Sequence, residues 1–364
     1  MRIPVSCLVL TLAMGVALAQ RHKPGEADAS KPEGQLIQQI EKESDAAKKI
    51  PLAEQFLAKF PKHPATAWVL EILQPAYIET KNMDKVIEVG QKMAALDPDD
   101  YECALQTLKA VETKKNPDLV KKWAAATAAA VHKYMAAPGE KPEGGAEYAQ
   151  QVETYADYAM FRAAVEAQDL KRRADLGEAL LAQSPKGTYA GQVSAMLLAI
   201  YQQTGNHAKA VALAEKAIAT DPDDEQMLVV VADSYARQKK DPQKAAAYAA
   251  KTLELLDKKA RPETIPEADW AKRKTALAAA AHMVLGRLQF DQGKFAAADK
   301  EFRLALAGGA RAELLFFLGM ANYKMEKPQE AVNYFRQCNA MESPFKNDAG
   351  KNVVAIRTEY RGVK

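Results

Sequence analysis

The sequence predicts an all-α protein, a right-handed solenoid of stacked antiparallel helix pairs that ends in a C-terminal capping helix. The first observation behind this prediction is a repeat with a period near 34 residues in a chain of 364 residues. Tyr201 and Tyr235 lie 34 positions apart, and Gly286 and Gly319 lie 33 positions apart. The second is an alanine-rich composition, because alanine is the best helix former. Such a period in helical sequence is typical of helix–turn–helix repeats that pack only on their neighbours.

The clearest repeat covers residues 191–224. Its first predicted helix places Leu197, Leu198 and Tyr201 on one face, and a turn follows at Gly205. Small side chains on the second helix let the two helices approach within about 8–10 Å, and a proline then ends that helix. These positions on the second helix are Ala210, Ala214, Ala217 and Pro222.

This pattern resembles the tetratricopeptide repeat (TPR) family, whose repeat has a Leu-Gly-like pair, a tyrosine, a turn glycine, small positions on the second helix and a closing proline. The same marks recur in the segments 279–309 and 311–343. The resemblance implies a row of helix pairs whose first helices line a concave groove, and it implies a protein or peptide as ligand. It is nearly silent on which ligand, since the marked positions are packing positions.

Outside the clear repeats the chain has segments of different character. The loop at 138–146, rich in proline and glycine, is either a hinge between two halves or a long surface loop. In the last segment Val353, Val354 and Ile356 are predicted to point inward, as a cap on the final repeat requires. The predicted segments are a signal peptide (1–19), a disordered leader (20–34), divergent repeats (35–137), a flexible loop (138–146), repeats (147–345) and a capping helix (346–364).

The first twenty residues indicate export. Arg2 precedes an apolar run over 5–17 that is too short to span a bilayer, and Ala17-Leu18-Ala19 fits the small-x-small rule for cleavage. We therefore expect a signal peptide cut after Ala19 and a periplasmic or secreted protein of a Gram-negative-type bacterium, with no transmembrane span after cleavage. The alternative is that the segment remains as an uncleaved anchor.

No residue pattern in the sequence indicates a catalytic centre, a metal site or a cofactor. The five histidines lack metal-ligand spacing with one another or with cysteines. The sequence Asp-Pro-Asp-Asp at 97–100 and 221–224 fails the calcium-loop pattern, so we assign it to turns and helix caps. Cys103 and Cys338 lie many repeats apart, so we expect two buried free thiols. A net charge of +3 without a basic block gives no support for nucleic-acid binding.

Repeat register places a candidate binding surface on the first helices. Its C-terminal part combines an apolar strip with one cation, which suits an extended or helical peptide. The alternative is that several of these side chains pack against the next helix. The candidate groove residues are Gln202, Asp233, Arg287, Phe290, Phe316, Met320 and Tyr323, and the same register also includes Gln192, Ala195, Ala199, Gln226, Val229, Ala236, Met283 and Glu313.

The sequence therefore predicts a noncatalytic scaffold or adaptor of the cell envelope that binds a protein or peptide segment in its groove. Two alternatives come from other classes. One is a helical, carbohydrate-processing envelope enzyme, which the aromatic content of only 7% disfavours because sugar sites need aromatic platforms. The other is a self-associating assembly factor. We expect a monomer, with a dimer as the alternative, and no nucleic-acid partner.

Overall fold

The computed structural model of the protein describes residues 21–25, 28–263 and 265–363, and the predicted signal peptide lies outside them. These described residues form seventeen α-helices and no strand. The helices are α1 (Pro32–Lys42), α2 (Ala46–Lys59), α3 (Thr66–Glu79), α4 (Met83–Leu96), α5 (Tyr101–Glu112), α6 (Pro117–Ala136), α7 (Gly145–Glu166), α8 (Leu170–Gln183), α9 (Ala190–Gln203), α10 (His207–Thr220), α11 (Glu225–Gln238), α12 (Pro242–Lys258), α13 (Glu267–Asp291), α14 (Phe295–Ala305), α15 (Ala312–Lys324), α16 (Pro328–Asn339) and α17 (Lys346–Glu359), with a 3-10 turn at Leu306–Gly308.

The described helices follow one another as eight pairs, from α1–α2 to α15–α16, with α17 after the last pair. The connection within a pair is short, as at residues 80–82 and 239–241, so its two helices run antiparallel. The predicted all-α fold class of stacked helix pairs is confirmed. The chain divides into two compact units, one ending at Ile200 and the other beginning at Tyr201, inside α9. The predicted flexibility of the 138–146 loop stays a prediction.

Aspartate side chains fix where several helices begin. In the first Asp-Pro-Asp-Asp copy, Asp97 accepts a hydrogen bond from the backbone N–H two residues on (3.0 Å), and Asp100 accepts one from the N–H of Cys103 (2.9 Å). In the second copy, Asp221 accepts the same turn bond (3.1 Å) and Asp224 caps α11 (3.1 Å). A side-chain oxygen at this position satisfies a donor that the helix leaves unpaired. The turn and cap roles are therefore confirmed in both copies.

The two helices of a pair approach closely where a glycine faces a phenylalanine. In the α13–α14 pair, a Cβ added to Gly286 would lie 2.5 Å from the ring of Phe302. In the α15–α16 pair, a Cβ added to Gly319 would lie 2.7 Å from the ring of Phe335. Both rings are fully buried. The 33-residue spacing of these glycines is therefore the spacing of one interhelical contact that recurs in two consecutive pairs.

Glycine also forms two of the tight turns between paired helices. Gly205 and Gly293 have φ values of +69° and +73°, a conformation that costs other residues about 1–2 kcal/mol. The next residue in the first of these turns, Asn206, donates its N–H to the carbonyl of Tyr201 (2.8 Å), and the second turn forms the same bond at 2.9 Å. This bond satisfies a carbonyl that the helix end would otherwise leave unpaired.

The segment predicted as a disordered leader makes specific contacts. Helix α1 begins inside it, at Pro32, and Arg21 and His22 bond to Glu71 and Asp97. The structure thus differs from the prediction at the described residues of 20–34. Low hydrophobicity argues against a packed core, but it leaves a basic segment free to form ion pairs with carboxylates on a folded surface.

The last helix, α17, closes the α15–α16 pair. Its Ile356 is buried in one cluster with Leu315 and Phe335. Val353 packs against this cluster, whereas Val354 is 67% exposed, so the prediction that Val354 points inward is wrong. Successive residues lie about 100° apart around a helix. The apolar stripe of α17 is therefore too narrow to bury both valines.

Replacing Gly319 with alanine tests the close approach in the α15–α16 pair. The added methyl group would overlap the buried ring of Phe335, so we expect the free energy of unfolding to fall by about 1–3 kcal/mol. The matched control is Gly191→Ala on α9, where an added Cβ meets no heavy atom within 4 Å and better helix propensity gains up to about 1 kcal/mol. Urea unfolding followed by circular dichroism measures both variants. Equal stabilities would contradict the contact.

Candidate functional site

A cavity of about 790 Å³ lies in the second unit, and we call it the α11–α13 cavity. Its walls come from the end of α9, the start of α10, and from α11, α13 and α15. Each of the helices α9, α11, α13 and α15 is the first of its pair. The lining includes Gln202, Gln226, Val229, Val230, Asp233, Arg237, Leu277, Met283, Arg311, Glu313 and Leu314.

The floor of this cavity is apolar. Val229, Met283 and Leu314 are buried there, and Val230 and Leu277 are half-buried, so part of their surface remains accessible. Covering accessible apolar surface with apolar groups of a ligand is favourable by about 25 cal/mol per Å². The floor can therefore accept an apolar side chain of a ligand.

One wall of the cavity carries a network of arginines and carboxylates. Arg237 donates to both carboxylate oxygens of Glu313 (2.7 and 2.8 Å) and to Asp233, four residues earlier on α11 (2.7 Å). Glu313 also accepts a hydrogen bond from Arg287 on α13, whose guanidinium lies 4.8 Å from the ring centre of Phe317. Bidentate arginine–carboxylate pairs hold both partners in one geometry. The network therefore ties α11, α13 and α15 together along this wall.

The arginines keep Glu313 ionised. Burial by itself raises the pKa of a carboxyl, but the hydrogen bonds and positive charges of Arg237 and Arg287 outweigh burial and lower the pKa of Glu313. The hydrogen bond to Glu313 in turn raises the pKa of the Arg237 guanidinium. A ligand in the cavity therefore meets a fixed ionic wall beside an apolar floor.

Three of the seven predicted groove residues line this cavity or join its ionic wall. Gln202 and Asp233 line it. Arg287 contributes to the wall through its bond to the glutamate of the network. Phe290 packs edge-on against the ring of Phe317, with the ring centres 5.6 Å apart, so its contact serves helix packing.

The other three predicted residues pack against α17 and the loop before it. The ring of Phe316 lies 5.2 Å from that of Phe345, Met320 packs on the cluster that contains the buried face of α17, and the hydroxyl of Tyr323 donates to Glu359 (2.9 Å). The chain itself therefore covers part of the apolar strip expected on these residues, and all three side chains are half-buried. The physical reason is that the apolar face of α17 needs a partner, and α15 supplies it.

The positions that repeat register assigns to the groove overlap only in part with the lining of the cavity. Of the eight further register positions, four line the cavity, namely Gln226, Val229, Met283 and Glu313, and the other four, Gln192, Ala195, Ala199 and Ala236, are not lining residues. Register misses Leu277 because α13 begins at Glu267, well before the repeat pattern that starts at residue 279. Register also misses Arg237. The sequence does hold a signal for this residue, because Asp233 lies four positions earlier and can pair with it on one helix face.

The remaining chemistry-bearing residues have ordinary structural surroundings. Across the part of the chain that the structure describes, histidine, cysteine and carboxylate side chains form no group suited to a metal ion. Among the same residues, no helix combines the length and apolarity that crossing a bilayer requires. His132 bonds to Glu153 and His282 to Glu301, both at 2.7 Å. The two cysteines of the described chain are buried free thiols, as the sequence predicts.

Two segments of the chain match the family model described as tetratricopeptide repeat, residues 192–224 and 312–343. They cover nearly all of the α9–α10 pair and the whole of the α15–α16 pair. The match supports the predicted repeat family. No curated protein matches the sequence.

The chain is also similar to solved structures. A thermophilic TPR protein of Thermus thermophilus is 17% identical, with 56% of this chain and 99% of that chain covered and a TM-score of 0.33. The TPR domain of P58(IPK) is 11% identical, with coverages of 91% and 100% and a TM-score of 0.32. Yeast Tom70 is 13% identical, with coverages of 94% and 67% and a TM-score of 0.36. These similarities concern the fold alone.

Replacing Glu313 with glutamine tests the ionic wall. The variant leaves Arg237 and Arg287 without their shared carboxylate, so we expect the free energy of unfolding at pH 7 to fall by about 1–3 kcal/mol. Because the pKa of Glu313 is lowered in the fold, its stabilising contribution is fully present above the ordinary carboxyl pKa of about 4.3. That contribution is lost as the pH falls through the lowered pKa. Urea unfolding should therefore show the difference from wild type shrinking at acid pH.

The matched control for this prediction is Glu342→Gln. Glu342 is an exposed carboxylate paired with Lys346, and exposed pairs contribute little to stability. We expect this variant to behave as wild type at both neutral and acid pH. A Glu313→Gln protein that is as stable as wild type at pH 7 would show that the wall does not hold the three helices together.

Proposed function

We propose that this protein is a noncatalytic scaffold that binds a protein or peptide segment in the α11–α13 cavity. TPR proteins generally act as protein-interaction scaffolds, and two segments of this chain match that repeat. The observation that carries the proposal is the cavity itself, an open recess with an apolar floor beside a fixed ionic wall. Such a recess, mostly apolar with a few oriented polar groups, is typical of binding sites.

The lining of the cavity defines the kind of segment that it accepts. Val230 and Leu277 offer apolar surface to one large apolar side chain of the ligand. Arg311, exposed at the rim, favours an acidic residue next to that side chain. The exposed amide of Gln202 can donate to and accept from the backbone of an extended or helical segment. The ligand is therefore a short segment with an apolar anchor and a neighbouring carboxylate.

The proposed setting is the cell envelope of a Gram-negative-type bacterium. The apolar run at 5–17 and the cleavage motif that ends at Ala19 support export, and both lie outside the described residues. The mature protein acts in the periplasm or outside the cell, as a monomer, on another protein of that compartment.

A substitution in the cavity floor tests the proposed binding. Peptides selected from a random phage-displayed library on the wild-type protein serve as probes, and fluorescence anisotropy measures their affinity. Leu277→Glu puts a charge into the apolar floor, where a bound apolar side chain would leave it without water. We expect the affinity of the selected peptides to fall by at least about tenfold, which is about 1.4 kcal/mol.

Leu304→Glu is the matched control for the floor variant. Leu304 is 45% exposed on α14 and is not a lining residue of the cavity, so the same chemical change should leave peptide affinity unaltered. Thermal melts followed by circular dichroism establish that both variants are folded. Peptides that bind Leu277→Glu as tightly as wild type would contradict the proposed site, and so would a library that yields no binder.

Export predicts a defined N-terminus for the mature protein. We expect the chain recovered from the periplasm or medium of a Gram-negative host to begin at Gln20, because small residues at 17 and 19 direct cleavage to the bond after Ala19. Intact mass spectrometry measures this directly, and Ala19→Leu should leave the longer form. Recovery of the wild-type chain uncleaved in the membrane fraction would favour the anchor alternative.

A further inference from the structure

The first unit has a recess of about 1000 Å³ between faces of α3 and α5, and we call it the α3–α5 groove. Its apolar lining includes Ile72 and Tyr101. The charged side chains that line the groove, leaving out the leader residue Arg21, are four carboxyls and one lysine. The charged lining residues are Arg21, Lys49, Glu71, Glu79, Asp100 and Glu102. The groove therefore presents apolar surface beside an excess of negative charge.

The leader is bound at this groove through its backbone. The N–H groups of Arg21 and His22 both donate to the carboxylate of Glu71, at 2.8 and 2.9 Å. The ring nitrogen Nδ1 of His22 lies 3.1 Å from the same carboxylate. Successive backbone amides are available on any peptide segment without proline, so this part of the contact does not depend on the leader's own sequence.

Asp97 contacts the side chains of the same two residues. The guanidinium of Arg21 donates to its two oxygens through Nε (2.6 Å) and Nη2 (3.2 Å), and Nε2 of His22 lies 3.2 Å away. Burial opposes ionisation of Asp97, but the hydrogen bonds from Arg21 and from the backbone of Asp99 prevail and lower its pKa. A forked donor of this shape is specific to arginine, because a lysine ammonium cannot reproduce it.

The crowding of acidic groups also acts on two further carboxyls, which a nearby cation would help to ionise. Burial raises the pKa of Asp100, and burial together with the charges of Asp100 and Glu71 raises the pKa of Glu102 to about 7. Carboxyls that are crowded and buried in this way favour a cation that enters their groove. Arg21 only partly meets this demand, since 43% of its side chain is exposed.

We propose that the α3–α5 groove is a docking site for an arginine-bearing, basic peptide segment of another protein, and that Arg21–His22 occupies it in cis. Glu71 receives two backbone amides of the partner and Asp97 its guanidinium, as in the cis contact. Ile72 and Tyr101 pack on its neighbouring residues. The cis segment competes with the partner, so the apparent affinity is reduced by the fraction of molecules with a free groove. This site lies in the other unit from the α11–α13 cavity and does not depend on the function proposed for that cavity.

A peptide copy of the leader is the probe for this proposal. It has the sequence of residues 20–25, Gln-Arg-His-Lys-Pro-Gly, with a fluorescein label and an amidated C-terminus, and anisotropy measures its binding to the full chain. In the variant Arg21→Glu/His22→Glu, repulsion from Glu71 and Asp97 frees the groove. We expect this variant to bind the probe about tenfold more tightly than wild type, a gain that corresponds to about 90% cis occupancy of the wild-type groove. A probe with glutamine in place of its arginine should bind neither protein.

Asp97→Asn and Asp221→Asn form a matched pair of controls. The two aspartates hold the same position in the two Asp-Pro-Asp-Asp copies and accept the same turn bond. Added to Arg21→Glu/His22→Glu, Asp97→Asn should abolish the gain in probe affinity and Asp221→Asn should preserve it. The proposal would be overturned if Arg21→Glu/His22→Glu bound the probe no more tightly than wild type. It would also be overturned if the gain in probe affinity persisted after Asp97→Asn was added.

Trypsin cleavage between Arg21 and His22 gives a second readout that does not depend on peptide affinity. The cis contact shields this bond, so Asp97→Asn in the otherwise wild-type chain should accelerate cleavage several-fold, and Asp221→Asn should not. Thermal melts verify that each variant is folded. If cleavage is accelerated but the probe does not bind the freed groove, the contact of Arg21 and His22 only holds the leader in place. That result would contradict the proposed docking site.

Discussion

The close approach of the two helices within a pair is the constraint on which the rest of the structure depends. At Gly286–Phe302 and again at Gly319–Phe335, the first helix presents a bare backbone to a buried ring of the second, and any larger residue would displace that ring. Packing this tight fixes how one helix is rotated against the other. That rotation determines which side chains of the first helix remain available to a ligand.

Each candidate surface combines side chains from neighbouring helices of its own unit. In the second unit, Asp233 and Arg237 of α11 and Glu313 of α15 meet on one wall. In the first unit, Glu71 of α3 and Asp97 at the end of α4 contact the same two leader residues. Each surface pairs hydrogen-bonded charges with accessible apolar side chains. The two surfaces differ in charge, since paired ions line the α11–α13 cavity and carboxyls outnumber cations in the α3–α5 groove, so the ligands proposed for them differ as well.

The sequence predicts the fold well because its recurring marks are packing residues. A contact such as Gly319 with Phe335 must recur wherever the helices approach this closely, and recurrence is visible in a single sequence. Whether a side chain remains accessible to a ligand produces no repeating pattern in the sequence. Phe316 occupies a groove position by register, yet its ring packs against Phe345 in the loop before α17. Arg21 lies in a segment too polar for a core, yet it bonds to carboxylates 50 and 76 positions away, and such long-range polar contacts have no local signature.

Under the export proposed above, the two buried thiols affect how long the molecule survives in an oxidising compartment. Burial raises the pKa of both Cys103 and Cys338, and the sulfur of Cys338 donates to the carbonyl of Ala312 (3.2 Å). Only thiolates attack disulfides and oxidants readily, so the closed helix pairs keep both sulfurs inert. Once a pair opens, its sulfur becomes a crosslinking group and the opened chain is captured covalently. In an oxidising compartment, the time for which the protein stays folded is therefore set by the rate at which helix pairs open. The equilibrium balance of folded and unfolded chains does not set it.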